Sequence, residues 1–297
     1  MPARMFKEIL MIEGASFMAA ELVKAFFIGL IQGITEWLPV SSTGHMLLFD
    51  RAFRLSLGER ELVLFLTLIQ LFSALAVVIL GFRDIFPFLV RGSGKKGVRA
   101  GLLLWAKIAV GSLPLAVIGL IFNDAIDALV TGEAATFVIA GALIFYGIGF
   151  IAAELARAKK ADRVTSFDRI GFGDALLIGC FQSLAIIPGT SRSGATILGA
   201  RLLGISRPAA ATFSFYLSVP AMVGAGGLKL ARYLSVGEGA PDSQSIIIMV
   251  LGCAVSFGVS MLAVEFLRGF VKKHSFIPFG IYRIVLGSVV LAVGLFS

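Results

Sequence analysis

Glu36, Ser42 and His45 stand within one short stretch, GLIQGITEWLPVSSTGH (29–45), and supply a carboxylate, a hydroxyl and an imidazole. These types can serve as base, nucleophile and proton carrier. Glu36 can activate a hydroxyl or bind a divalent cation, most of whose ligands would then come from substrate and water, because one carboxylate offers few hard oxygens. His45, titrating near neutral pH, can act as nucleophile or acid/base, or can make an interior hydrogen bond. Gln32 lies one helical turn before Glu36 and shares its face. Ser41, Thr43 and Gly44 complete the polar run, which follows a helix-breaking Pro39.

The stretch has a partner 150 residues on, GCFQSLAIIPGTSRSGAT (179–196). A shift by that number places Gly29 on Gly179, Gln32 on Gln182, Ser41 on Ser191 and Gly44 on Gly194, with Pro188 one position off Pro39. In each copy a serine-rich break opens a short second helix, and serine and threonine are good helix N-caps. Two helix N-termini facing one space carry unpaired N–H groups and partial positive charge, which makes an anion site, with phosphate the common occupant. Arg192 adds a guanidinium fork that matches phosphate oxygens, its alternative being an ion pair with Glu36. Ser191, Ser193, Gly194 and Thr196 would line the second tip, with Gln182 behind them as the counterpart of Gln32.

The elements that hold these residues are membrane elements. Of 297 residues 58% are hydrophobic and 15% charged, against about 25% charged in soluble domains. The net charge of +8 resides in loop lysines and arginines that act as topology signals, so nucleic acid is not an expected partner. Six segments are long enough to span: Glu61 to Phe82, Gly101 to Phe122, Ala134 to Ala156, Pro208 to Arg232, Ser245 to Arg268 and Phe276 to Phe296. Lys24 to Trp37 with His45 to Phe53, and Gly173 to Ile187 with Ala195 to Leu203, are too short and are expected as two re-entrant helical hairpins. Residues 1–20 read as an amphipathic extension.

Basic loops follow the first, third and fifth spans, whereas the loops Asn123 to Glu133 and Leu234 to Gln244 hold acids and no lysine or arginine. The alternation survives only if the second hairpin region crosses an even number of times. The basic loops are then cytoplasmic, and both termini face outward. One hairpin plus three spans makes each half, 21–156 and 171–297, and three is odd, so the expectation is a single all-α polytopic domain built as an inverted-topology repeat with its site at the meeting tips. Such architecture also suits a carrier or flippase for a lipid phosphate or another anionic lipid. Lys107 and Lys229 are expected to snorkel from span ends, and Arg283 to pair with Glu265.

The motif EWLPVSSTGH following Gln32, with PGTSRSGAT, resembles the two signatures of bacterial undecaprenyl-diphosphate phosphatase, the BacA type of bacitracin-resistance protein. The resemblance covers the chain after its N-terminal extension. It implies a multi-pass enzyme of the bacterial inner membrane that removes the terminal phosphate from the C55 polyprenyl diphosphate, recycling the carrier lipid for peptidoglycan synthesis. It also implies dependence on a divalent cation, Mg2+ or Ca2+, and a site facing the exterior, and it leaves room for a homodimer in surrounding membrane lipid. Glu36, Ser42, His45 and Arg192 match the family's catalytic positions. Where many relatives carry a first glutamate this chain has Gln32, which can orient water or phosphate but cannot act as a base.

Overall fold

The computed structural model describes residues 3–90, 94–121, 134–235 and 240–296. Ten helices carry the described chain: α1 (Ala3–Thr35), α2 (Ser42–Ala52), α3 (Glu59–Leu80), α4 (Gly94–Ile121), α5 (Ala135–Arg157), α6 (Phe172–Ser183), α7 (Arg192–Leu202), α8 (Arg207–Ser235), α9 (Ser243–Phe270) and α10 (Ile277–Phe296), with a one-turn helix at Phe82–Ile85 and short 3-10 turns between them. Among the described residues the one β-type contact is an isolated bridge between Val164 and Ile205. Seven helices are long and apolar enough to cross a bilayer, α1 over Ala15–Thr35 and α3, α4, α5, α8, α9 and α10. The protein is an all-α polytopic membrane protein. The acidic loop Asn123 to Glu133 and Glu238 lie outside the described residues.

The seventh candidate differs from the sequence reading, which began the first apolar segment at Lys24 and set residues 1–20 apart. Glu21 and Lys24 interrupt the hydropathy without breaking the helix, because both are good helix formers. Nor are they left uncompensated. Lys24 Nζ meets Glu21 Oε1 at 2.6 Å and donates to the Arg54 carbonyl at 2.9 Å, while the Ser56 amide donates to Glu21 Oε2 at 2.8 Å. Paired this way, the charges are accommodated in the wall of one 33-residue helix.

The same contacts define the first hairpin. Residues 54–56 return to the level of residues 21–24, so the chain runs along α1 to its end, turns at residues 36–41 and comes back along α2. The returning arm α2, 11 residues or about 16 Å, is too short to cross a hydrocarbon core of about 30 Å. The second hairpin closes likewise. Arg163 donates to the Leu203 carbonyl at 3.2 Å and pairs with Asp174 at 2.5 Å, joining the end of α7 to the start of α6. Arg201 and Arg207 then tie this base to α5 through the buried Glu154, at 3.0 and 2.8 Å.

Packing recurs in matched pairs across the two halves. The first helix of each half lies on the fourth of the other, α1 on α9 and α6 on α4; α3 meets α9 as α8 meets α4; α2 meets α10 as α7 meets α5. The approach is close enough to require glycine. A Cβ on Gly29 would lie 2.6 Å from the Gly252 carbonyl, and one on Gly179 would run into the Gly111 carbonyl. Behind the first tip, the fully buried Trp37 packs edge-on against Phe215, with ring centroids 5.6 Å apart. Its indole N–H donates to Ser73 Oγ at 2.9 Å, which bonds Ser260 Oγ at 2.7 Å. Three helices from both halves thereby fix the tip that bears Glu36.

Candidate active site at the paired tips

Both tips turn through the same unusual backbone conformation. Ser41 (φ 74°) and Ser191 (φ 67°) are the positive-φ residues other than glycine among those described, and they occupy the equivalent positions of the 150-residue register. Side chains with a Cβ pay roughly 1–3 kcal/mol for such strain, which persists only where surrounding contacts over-determine it. Those contacts come from Arg283 of α10. Fully buried, its guanidinium donates to the carbonyls of Pro39 (3.3 Å), Gly189 (3.0 Å) and Thr190 (2.9 Å), and its Cζ lies 5.5 Å from the Tyr146 ring centroid. One arginine thus holds both tips. The pairing with Glu265 expected from sequence is not made: Glu265 faces Arg268, 3.5 Å away on the same helix. Helical spacing favours that nearer partner.

Across the tips lies the composite cluster. Arg192 Nη2 meets Glu36 Oε1 at 2.7 Å; Gln32 Nε2 donates to Glu36 Oε2 at 2.9 Å, and Ser42 Oγ donates to the same oxygen at 3.2 Å. Ser193 Oγ crosses between the tips to the Glu36 carbonyl at 3.1 Å. Residues 156 and 157 apart in sequence are therefore in direct contact. The arginine–carboxylate pair, given from sequence as the alternative to phosphate binding, is the arrangement found here. The guanidinium is only partly buried, with its side chain 19% exposed, so an incoming anion can reach it.

Glu36, Ser42, Thr43, Ser191 and Arg192 line one cavity of about 980 Å³, which also takes in Thr35, Gln70 and Ser112. Its remaining walls are largely Ala, Gly, Leu and Ile. Ser191 caps α7 by accepting from the Gly194 amide at 3.2 Å. Ser41, the equivalent cap of α2, makes no side-chain cap bond, so the first-turn amides of α2 beside Ser42 and Thr43 carry no side-chain acceptor from it.

Other expected site residues sit apart from this cavity. His45 Nδ1 faces the Ser41 carbonyl at 2.7 Å, and a carbonyl accepts only, so that nitrogen bears the proton. Nε2 of the neutral ring then accepts from Tyr282 Oη at 2.7 Å. The hydrogen bonds of the His45 ring thus go to Ser41 and Tyr282 and not to Glu36 or Ser42, and the ring stacks on Tyr282 at 5.6 Å. Gly44 packs against Leu143, and Thr196 bonds the Arg192 carbonyl and Ser214 Oγ. Gln182 is fully buried, and its amide finds no hydrogen-bond partner among the described residues, in contrast to its counterpart Gln32. Sequence reasoning missed Tyr282 and Gln70, and it singled out Arg283 without assigning it to the site. A lone arginine within the apolar α10 was the available signal.

Comparison with known proteins places this geometry. The family model described as bacitracin resistance protein BacA matches residues 25–289. A protein of Enterococcus faecalis named undecaprenyl-diphosphatase is 43% identical over 274 residues, covering 92% of this chain and 97% of its own length. One of that name from Acetivibrio thermocellus is 44% identical over 274 residues, 91% and 97% of the two chains. Undecaprenyl-diphosphatase 1 of Clostridioides difficile is 46% identical over 279 residues, 93% and 97%.

Proposed function

Because the chain belongs to the BacA family of bacitracin resistance proteins, we infer that it is an undecaprenyl-diphosphatase, a membrane-embedded hydrolase that converts the C55 diphosphate to the monophosphate and phosphate. This returns the carrier lipid to peptidoglycan synthesis. The observation that carries the reading is the meeting of Glu36, Ser42 and Arg192 at the polar end of an otherwise apolar cavity. Paired hairpins would suit a lipid carrier as well, but a hydroxyl hydrogen-bonded to a carboxylate beside an arginine is equipment for bond breaking that a carrier does not need.

The residues divide the work as follows. The terminal phosphate exchanges onto the Arg192 guanidinium, whose planar fork pairs with two phosphate oxygens, and this frees one Glu36 oxygen. Ser42 Oγ attacks the terminal phosphorus while Glu36 takes its proton; the bond from that phosphorus to the bridging oxygen breaks, and undecaprenyl phosphate leaves. Water then attacks the phosphoserine, phosphate departs, and Ser42 recovers its proton. Gln32 holds Glu36 in place. His45, bonded to the Ser41 carbonyl and to Tyr282, supports the turn that presents Ser42.

A divalent cation fits this site as a companion of the substrate. Among the described residues no group of three histidines, cysteines or acids stands together, so the chain's share would be Glu36 with the amide oxygen of Gln32, and the diphosphate would furnish the rest. When bound, such an ion neutralises charge on the diphosphate.

Orientation follows from charge. Arg157, Lys159, Lys160, Arg163 and Arg169 after α5, with Arg268, Lys272 and Lys273 after α9, put those ends in the cytoplasm of a bacterial inner membrane, and the termini and tips open outward. Two arginines on the opposite side are taken up in tertiary bonds: Arg51 donates to Thr136 Oγ1 at 3.1 Å, and Arg60 to the Tyr233 carbonyl at 2.7 Å. Read as hairpins that return to the side they enter from, α1–α2 and α6–α7 leave three spans to each half, so the halves enter the membrane in opposite senses.

The test is phosphate release from undecaprenyl diphosphate by the purified chain in detergent, where no second compartment exists. Turnover by the native chain and its loss by more than about a hundredfold in Ser42→Ala are expected. Absence of release by the native chain would overturn the activity, and full release by Ser42→Ala would overturn the nucleophile.

A further inference from the structure

The cavity extends well beyond the tips. Its wall on α8 runs through Ala221 and Ala225 to Lys229 and Arg232, spacings of four, four and three that keep to one face of the helix. Facing it are Ser112, Leu115, Ala116 and Gly119 of α4, again one helical face. The tips are level with an earlier part of α8, since Thr196, one turn after Arg192, bonds Ser214. Lys229 and Arg232 lie nine and twelve residues past Pro220, about 14 and 18 Å further along the helix. The cavity therefore has a deep polar end, an apolar middle and a cationic outer end.

Neither Lys229 nor Arg232 forms an ion pair among the described residues, whereas the cavity's other cation, Arg192, is held by Glu36. Both side chains are exposed. A lysine that merely snorkels toward bulk lipid headgroups needs no place on a cavity wall. Here two cations, three residues apart and thus on adjacent turns, face the same space as the catalytic cluster, with small and apolar side chains between. Two adjacent donors of unlike shape, a point charge and a planar fork, suit the several oxygens of a phosphate or diphosphate.

We propose that Lys229 and Arg232 form an outer phosphate subsite of the cavity, which engages either the lipid diphosphate on its way to the tips or the inorganic phosphate on its way out. The assignment rests on the phosphatase reading and deepens it. In the entry case the outer subsite raises the local concentration of the anionic headgroup at the mouth of the cavity, an effect that salt weakens. In the exit case it holds the product and sets its inhibition.

The experiment uses the full chain in a neutral detergent and compares the native protein, Lys229→Gln/Arg232→Gln and the charge-preserving Lys229→Arg/Arg232→Lys. Phosphate release is followed against undecaprenyl diphosphate concentration, and again with added inorganic phosphate. A subsite used on entry predicts KM raised about tenfold in the glutamine pair, equivalent to about 1.4 kcal/mol, with kcat within twofold of native and a weakened salt dependence. A subsite used on exit predicts the inhibition constant for inorganic phosphate raised about tenfold with KM unchanged. In both cases the charge-preserving pair should restore most of the loss. Unchanged KM and inhibition constant would overturn the proposal while leaving the phosphatase intact, as would a fall in kcat alone. So would an effect that appears only when anionic lipid is added, which would assign these residues to bulk lipid. A native chain that releases no phosphate would sink the underlying activity and the subsite with it.

Discussion

Arg283→Met should disable the site without touching a residue of the cavity wall. Methionine preserves most of the volume and length while deleting the donors to the carbonyls of Pro39, Gly189 and Thr190, at 3.3, 3.0 and 2.9 Å. A buried acceptor that loses its partner costs about 1–3 kcal/mol, and relaxation or a trapped water recovers part of that, so three carbonyls amount to roughly 3–5 kcal/mol of stability. Function should fall further than stability suggests. The carbonyls belong to both tips, whose turns hold Ser41 and Ser191 at positive φ, and releasing them lets Ser42 and Arg192 drift apart. A misplacement of about 1 Å in reacting groups costs on the order of a hundredfold. The assay pairs thermal unfolding in detergent with phosphate release from undecaprenyl diphosphate at a temperature where the variant is folded. Arg283→Lys should recover part of the activity, since an ammonium also has three donors but lacks the fork. A folded Arg283→Met chain with native kcat would refute the reasoning, showing that the tips are positioned by packing alone.

Two further expectations follow from the same structure. In a background with Cys180 and Cys253 replaced, Ala240→Cys should react with an impermeant thiol reagent only from outside intact cells and Lys160→Cys only after the cytoplasm is opened; labelling of both from one side would break the charge-parity argument. Chelation of divalent cations should suppress phosphate release without lowering the thermal midpoint of the substrate-free chain, because the chain offers too few ligands to fold around the ion; a lower midpoint in chelator would mean a resident structural metal.

The hairpins were legible because their signals are local: a proline, a run of serines and a charge in an apolar segment, repeated at a fixed register. The meeting of Glu36 with Arg192 was legible from that register, and the packing of Gly29 on Gly252 and Gly179 on Gly111 gives it a steric basis. The length of α1 was hidden because hydropathy registers Glu21 and Lys24 as charges, whereas the folded chain pairs them with each other and with the returning residues 54–56. Arg283 was misread for a different reason. Its partners are backbone carbonyls more than ninety residues away, which no residue type announces. His45 was expected as nucleophile or acid/base, but its ring bonds Tyr282, 237 positions away, a partner that the local motif does not announce. Lys229, assigned to the membrane surface from its place near a span end, lines the cavity instead.

The central claim is that two tips from opposite halves of the chain act as one phosphate site, and a double-mutant cycle on Glu36→Gln and Arg192→Gln tests it most directly. Phosphate release would be measured for the native chain, both single variants and the double variant, each verified as folded. If the residues act as a unit, each single change lowers kcat/KM by about a hundredfold or more and the double variant is no slower than the worse single, because the second change removes nothing that still works. Losses that multiply, or near-native turnover in either single variant, would contradict a shared site.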